Sequence, residues 1–168
     1  MTLSMYSCSV PVFVRSLNNL SAILEKAARY VTDSELDESV LVTARLYPNM
    51  FALARQVQIA CDVSKGAGAR LSGVEAPKYE DKETTFDQLQ TRIKNTITYL
   101  QSLPEGKING TEEKLIVMQA GPNEFKFKGS DYLNNWALPN LYFHVTTTYN
   151  ILRHNGLAIG KMDFLGPQ

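Results

Sequence analysis

The chain has 168 residues, 17 acidic and 17 basic side chains, a hydrophobic fraction of 44% and a charged fraction of 20%. This length and balance predict a single domain over residues 1–168 with a sizeable core, and they exclude intrinsic disorder and the basic surface of a dedicated nucleic-acid binder. Because there are only two cysteines, no secretory signal and no apolar run of the ~20 residues that span a membrane, we expect a cytoplasmic protein that does not cross a membrane.

Helical spacing of apolar residues dominates the N-terminal part of the chain. In Pro11–Thr32 the apolar residues lie four and three positions apart, which places them on one face of a long helix. The polar stretch Asp33–Ser39 predicts a loop, and Val40–Tyr47 predicts a short helix that ends before a proline.

A second long helix is predicted from Pro48 or Asn49 to Ser72. Many of its periodic positions carry small side chains, which allow another backbone to come close. Gly73 follows the last periodic residue, as a C-terminal cap does. The next stretch, Val74–Glu83, predicts a connecting loop.

A third long helix and a β-hairpin follow. Thr85 with Gln88 three positions later matches a capping box, and Pro104 predicts that the helix has ended. Strand-forming residues within Lys114–Lys128 surround the turn-forming residues 121–123, which predicts a short two-stranded hairpin. Since an isolated hairpin is marginally stable in water, we expect it to pack on the helices.

The last long helix is predicted from Ser130 or Asp131 to Asn155, with Ser130 as its N-cap. Because Pro139 falls inside it, a kink or a break is expected around Leu138. The tail Leu157–Gln168 is expected to pack on the surface. Together these elements predict an all-α fold, a four-helix bundle with a short β-hairpin inserted before the last long helix.

Polar residues on the predicted core faces are candidates for a functional site. His144 lies on the apolar stripe of the last helix, so it is either a hydrogen-bonded core histidine or a candidate catalytic base. His154 lies about 15 Å further along that helix, so one metal ion cannot bind both histidines. In the second helix, Gln56 or Gln58 is a candidate partner of His144, and Asp62 can pair along the helix face.

Other residues near His144 in the sequence have two interpretations each. The Thr146–Thr148 run either faces a polar cavity or bonds back to carbonyls of its own helix. Tyr142 and Tyr149 either pack in the core or form the wall of a pocket. Cys61 is predicted to be a buried, inert thiol.

Five stretches carry a sequence pattern that is specific to a known family: Ser9–Phe13, Ala54–Asp62, Phe143–Tyr149, Arg153–Gly156 and Gly160–Gly166. They resemble an uncharacterised family of bacterial proteins within the DinB-like superfamily. The resemblance implies a DinB-like four-helix bundle with unusual connectivity, and a homodimer. The superfamily includes metal-dependent thiol transferases and a mycothiol-dependent isomerase.

The resemblance also implies a metal site with one histidine from the second helix and two, four positions apart, from the last. His144 matches the first of the last-helix pair, but Thr148 stands at the second, and Gln56 or Gln58 stands in the second helix. Neutral amide and hydroxyl oxygens bind divalent transition metals weakly compared with imidazole. We therefore expect a degenerate site without a metal or other cofactor; any metal that does bind would bind His144.

These observations predict that the polar site binds a small molecule. Its predicted residues are His144, Thr148, Gln56, Gln58 and Asp62, with Tyr142 and Tyr149 at the edge. The alternative is a metal- or thiol-dependent transferase or isomerase that uses His144. A third hypothesis is a structural interaction protein, whose function is to bind a second copy through its dimer face.

Overall fold

The computed structural model describes residues 3–167, and its longest elements are four helices. They are α1 (Val10–Asp33), α3 (Leu53–Ser72), α4 (Phe86–Gln101) and α6 (Leu138–His154), and a four-residue helix, α2 (Ser39–Val42), precedes α3. Helices α4 and α6 each pack against both α1 and α3, so that the apolar faces of all four enclose the core. None of the described helices is long and apolar enough to cross a membrane.

Helix α1 follows the predicted pattern closely. Pro11 lies in its first turn, where the absent N–H has no partner to lose. The residues spaced four and three apart are buried, and each contributes about 1.5–3 kcal/mol when it is a large side chain. They are Phe13, Leu17, Leu20, Leu24, Ala27 and Val31.

The region between α1 and α3 differs from its prediction. The short helix covers only Ser39–Val42, and α3 begins at Leu53 instead of residue 48 or 49. Ala52 is extended, with ψ of 163°, and the N–H of Leu53 donates to the carbonyl of Ala44 at 2.9 Å. This bond across the turn fixes the start of α3, whose C-terminus is capped as predicted by Gly73 in the left-handed region.

Helix α4 begins with the predicted cap in a modified form. Thr85 Oγ1 accepts from the backbone N–H of Gln88 at 3.2 Å. The return bond of a capping box would join the Gln88 side chain to the N–H of Thr85. Here Gln88 Oε1 instead accepts from the N–H of Thr84 at 2.7 Å, so the return bond is shifted by one residue.

The predicted hairpin is present before the last long helix. Strands β1 (Leu115–Ala120) and β2 (Asn123–Lys128) pair in antiparallel register, with Gly121 at φ of 60° in the turn. Its aromatic side chains pack on the helical part of the chain, as shown by Phe125 and Trp136, whose ring centroids are 5.0 Å apart. The helices therefore supply the support that an isolated hairpin lacks.

The last long helical segment has three parts. A short helix, α5 (Gly129–Tyr132), leads into a π turn over Leu133–Ala137 and then into α6. The prediction of Ser130 as N-cap is wrong, because the extended residue Lys128 occupies that position without a side-chain bond. The expected irregularity near Pro139 takes the form of the π turn, and the proline itself lies in the first turn of α6.

The tail packs against α1, a contact that the sequence analysis does not specify. It contains a short helix, α7 (Lys161–Leu165), and Asn19 Nδ2 on α1 donates to the carbonyl of Phe164 at 3.0 Å. Lys26 on α1 also pairs with Asp163 at 2.5 Å.

Candidate functional site

His144 and Gln56 form a buried polar pair between α6 and α3. His144 Nδ1 lies 2.7 Å from Gln56 Oε1, and the two residues are 8% and 1% exposed. The side-chain nitrogen of Gln56 donates to the backbone carbonyl of Phe51 at 3.1 Å. Because that carbonyl only accepts, the amide oxygen of Gln56 faces the ring, and Nδ1 carries the proton. This tautomer leaves a lone pair on Nε2, which has no hydrogen-bond partner among residues 3–167.

The surroundings of the His144 imidazole favour its neutral form. Burial and the positive charge of Arg55 lower its pKa below the ordinary value of 6.5. The exposed ring of Phe143 lies edge-on to the imidazole, with 5.2 Å between the ring centroids. A neutral Nε2 beside an exposed aromatic ring accepts a hydrogen bond from a hydroxyl, amine or thiol group.

The hydroxyl of Thr148 is bound within α6 and not to the His144 ring. Its Oγ1 donates to the carbonyl of His144 at 3.0 Å, and Thr147 makes the equivalent bond to Phe143 at 2.7 Å. Of the two interpretations of the threonine run, back-bonding therefore describes Thr147 and Thr148.

Tyr142 and Tyr149 lie on other faces of α6 from His144, since residues two and five apart are far from aligned on a helix. Tyr142 is exposed and lines a cleft of about 760 Å³ together with Val12 and Phe164. Tyr149 is half-buried and packs against the apolar core. Neither tyrosine hydrogen-bonds to the His144–Gln56 pair in the described part of the chain.

Gln58 and Asp62 belong to a different cluster. Gln58 Nε2 donates to Glu83 Oε2 at 2.9 Å, and Asp62 Oδ1 accepts from Arg92 Nη2 on α4 at 2.8 Å. Two positions along a helix correspond to a rotation of about 200°, so Gln56 and Gln58 face different neighbours. The structure thus places Gln56, and not Gln58, against His144.

Arg92 is the centre of this second cluster, and the sequence analysis does not select it. The residue is 3% exposed, and its guanidinium binds three carboxylates. They are Asp62 at 2.8 Å, Glu83 at 2.9 Å and Asp81 at 3.0 Å. The signal in the sequence is its position on the apolar stripe of α4, directly before Ile93, because a buried arginine there requires carboxylate partners.

Tyr79, in the loop between α3 and α4, packs against the guanidinium group of Arg92. Its ring is close to two cations, with Lys65 Nζ 4.7 Å and the Arg92 guanidinium carbon 5.1 Å from the ring centre. The Tyr79 hydroxyl and Arg92 Nε are buried, and neither has a hydrogen-bond partner within residues 3–167. Tyr99, by contrast, donates its hydroxyl to the carbonyl of Val74 in the same loop at 2.9 Å.

These two tyrosines give a matched pair of variants with different expected effects. Tyr79→Phe removes a buried hydroxyl without a partner, so we expect the free energy of unfolding to stay the same or rise by up to about 1 kcal/mol. Tyr99→Phe removes a bonded hydroxyl and is expected to lower it by about 1 kcal/mol. Urea unfolding of both variants measures the difference, and an equal loss in both would show that Tyr79 has a bonded hydroxyl in solution.

A family model described as a domain of unknown function, DUF1993, matches residues 5–165. The chain belongs to this family. The DUF1993 chain is also similar to a crystal structure of a DinB family member protein from Shewanella denitrificans, with 40% sequence identity and a TM-score of 0.88. That match covers 97% of this chain and 92% of the other. No curated protein is significantly similar to the chain.

Membership of an uncharacterised DinB-like family, predicted from the sequence, is therefore confirmed. The mainly helical fold and the hairpin before the last long helix are confirmed as well.

The donor set of the DUF1993 chain does not fit a three-imidazole metal site. The amide oxygen of Gln56 accepts the ring proton of His144, and the hydroxyl of Thr148 donates to a carbonyl. Within residues 3–167, no group of three or more His, Cys, Asp or Glu side chains is arranged to hold a metal ion. Burial raises the pKa of the Cys61 thiol to about 12, so this cysteine stays protonated.

Proposed function

We propose that this DUF1993 protein binds a small molecule at the His144–Gln56 pair. We call the surrounding group, Phe51, Gln56, Phe143 and His144, the imidazole site. We also infer that the four long helices form a DinB-type bundle and that the imidazole site is its degenerate metal site. The observation that carries the proposal is the 2.7 Å bond from His144 Nδ1 to Gln56 Oε1, because it fixes one tautomer and leaves Nε2 free to accept.

The chemistry of the site favours a ligand with a hydrogen-bond donor and an apolar body. Nε2 of a neutral imidazole accepts one hydrogen bond, and the ring cannot change its tautomer without losing its bond to Gln56. The exposed rings of Phe51 and Phe143 offer apolar surface on which the rest of the ligand can pack. Gln56 is a positioning residue, since it acts on the ligand through His144.

The experiment uses phenol, which combines one hydroxyl donor with an apolar ring. Phenol is titrated into the isotope-labelled full chain, and backbone amide and imidazole nitrogen resonances are followed by NMR. We expect saturable shifts at Phe143 and His144 and a shift of the Nε2 resonance. His144→Phe is expected to abolish them, whereas His154→Phe, which alters the exposed histidine at the end of α6, is expected to leave them unchanged.

Three results would contradict the proposal. The first is an absence of phenol shifts in the unaltered chain, and the second is equal shifts in His144→Phe, provided that circular dichroism shows the variant to be folded. The third is stoichiometric zinc, nickel or iron in protein purified without chelator that is lost in His144→Phe, because it would support the metal- or thiol-dependent alternative. The homodimer and the cytoplasmic location stay predictions, and light scattering measures the first.

A further inference from the structure

A positively charged side chain lies beside the imidazole site at the start of α3. Arg55 precedes Gln56, its side chain is 39% exposed, and its guanidinium carbon lies 5.9 Å from the centre of the Phe51 ring. The first turn of α3 holds no acidic residue, and the N-cap residue Ala52 makes no side-chain bond. The cation and the positive end of the helix dipole therefore both favour an anion at this place.

One carboxylate from the loop between α3 and α4 neutralises Arg55. Asp81 pairs with Arg55 Nη1, and it is the only carboxylate among residues 3–167 that pairs with Arg55. Asp81 is 41% exposed, and it shares its other oxygen with Arg92 at 3.0 Å. Since Arg92 keeps two further carboxylate partners, Asp81 can leave without depriving a buried cation of all its partners.

The charges around this loop balance only while Asp81 is in place. Three cations face three carboxylates: Arg55, Lys65 and Arg92 against Asp62, Asp81 and Glu83. Departure of Asp81 leaves one positive charge, located at Arg55. A monoanionic ligand restores the balance, and a carboxylate does so with the same planar geometry as the group it replaces.

The apolar part of such a ligand has a matching surface. Phe51 is 55% exposed and Phe143 is 57% exposed, although both are large aromatic residues. Phe51 is linked to the imidazole through Gln56, and Phe143 is in edge-on contact with the imidazole. The Phe51 ring thus lies beside Arg55, and the Phe143 ring lies beside the imidazole, so each polar group has an aromatic neighbour on which a ligand ring can pack.

We propose that the imidazole site binds an aromatic carboxylic acid whose carboxylate replaces Asp81 on Arg55 and whose hydroxyl group donates to Nε2 of His144. This inference rests on the proposed function because it uses the same imidazole. It adds the charge of the ligand and the residue that recognises it. Arg55 is the specificity residue, and Asp81 competes with the ligand for the Arg55 guanidinium.

The experiment compares 4-hydroxybenzoate with 4-hydroxybenzamide, which has the same shape without the charge. Both are titrated into the full chain by NMR, as for phenol. We expect the acid to bind about tenfold more tightly than the amide. Arg55→Gln is expected to remove this preference by weakening the binding of the acid to about that of the amide. Asp81→Asn removes the competitor, so it is expected to tighten binding of the acid alone, by about threefold or more.

Asp87→Asn is the matched control, because it removes the same charge from an exposed position in the first turn of α4. It is expected to leave the ratio of the two affinities unchanged. Equal binding of acid and amide, or weaker binding of the acid to Asp81→Asn, overturns the inference. If the amide still binds through His144 in that case, the proposed function stands. If the acid, the amide and phenol all fail to bind, both are overturned.

Discussion

Replacing Arg92 by methionine is expected to lower the free energy of unfolding by about 3–5 kcal/mol. The Arg92 side chain is 1% exposed and is the shared partner of Asp62, Asp81 and Glu83. Methionine has a comparable length, but it leaves three neighbouring carboxylates without their common cation. Two of them come from the loop between α3 and α4, so the loop is expected to detach first. Urea unfolding followed by circular dichroism measures the change.

Lys94→Met is the control for Arg92→Met, because it removes a positive charge from an exposed position of the same helix. It is expected to change the free energy of unfolding by no more than about 0.5 kcal/mol. Adding Asp62→Asn and Glu83→Gln to Arg92→Met removes two of the three negative charges that faced Arg92, so part of the loss should be recovered. Failure to recover any of it would show that Arg92 stabilises the protein by packing and not by charge.

A second large effect is expected from Gly129→Ala, which should lower the free energy of unfolding by about 3 kcal/mol. Gly129 begins α5 directly after β2, and a Cβ atom there would lie 1.9 Å from the carbonyl oxygen of Thr111. This oxygen belongs to the backbone, so it cannot rotate away as a flexible side chain can. Moving the segments apart would stretch the neighbouring bond from the N–H of Ser130 to the carbonyl of Glu112, now 3.0 Å.

Gly106→Ala provides the comparison for Gly129→Ala. A Cβ atom at Gly106 meets no atom within 4 Å, and its φ is not in the left-handed region. The substitution is therefore expected to leave the free energy of unfolding unchanged or to raise it by about a few tenths of a kcal/mol. The increase would come from the lower conformational entropy of the unfolded chain. Thermal and urea unfolding of the two variants give the contrast, and equal stability of both would refute the steric argument.

The long helices could be predicted where local periodicity alone determines them. α1 agrees with its predicted range of Pro11–Thr32 to within one residue at each end, because its apolar face is continuous. The start of α3 could not be predicted, since it depends on the bond between Leu53 and Ala44 across a turn. Periodicity continues through that turn in the sequence, so it extends the predicted helix too far.

The sequence predicts that His144 has a partner in the second helix, but it does not predict which glutamine that partner is. A partner for His144 from the second helix followed from the cost of burying an amide, and Gln56 is that partner. Deciding between Gln56 and Gln58 needed the rotation of α3 about its axis, which only its contacts with α4 and α6 determine. The sequence analysis groups Asp62 with His144, whereas the structure pairs it with Arg92.

The Arg92 cluster could not be assembled from local patterns. Its carboxylates come from α3 and from a loop, so neither helical spacing nor a motif links them to α4. Arginine is usually exposed, so its place on the apolar stripe does not by itself predict a buried cluster. The sequence likewise places Tyr79 only in a loop.

The π turn over Leu133–Ala137 sets the direction in which the His144 side chain points. A π turn holds one residue more than an α turn, so everything after it is rotated by about 100° relative to α5. With this offset in place, Tyr132 and Leu133 near the start of the turn and Leu141 and His144 beyond it are all buried. The angular position of the imidazole is therefore encoded in the number of residues that precede it. Shortening the turn by one residue would leave a continuous helix whose imidazole no longer meets Gln56.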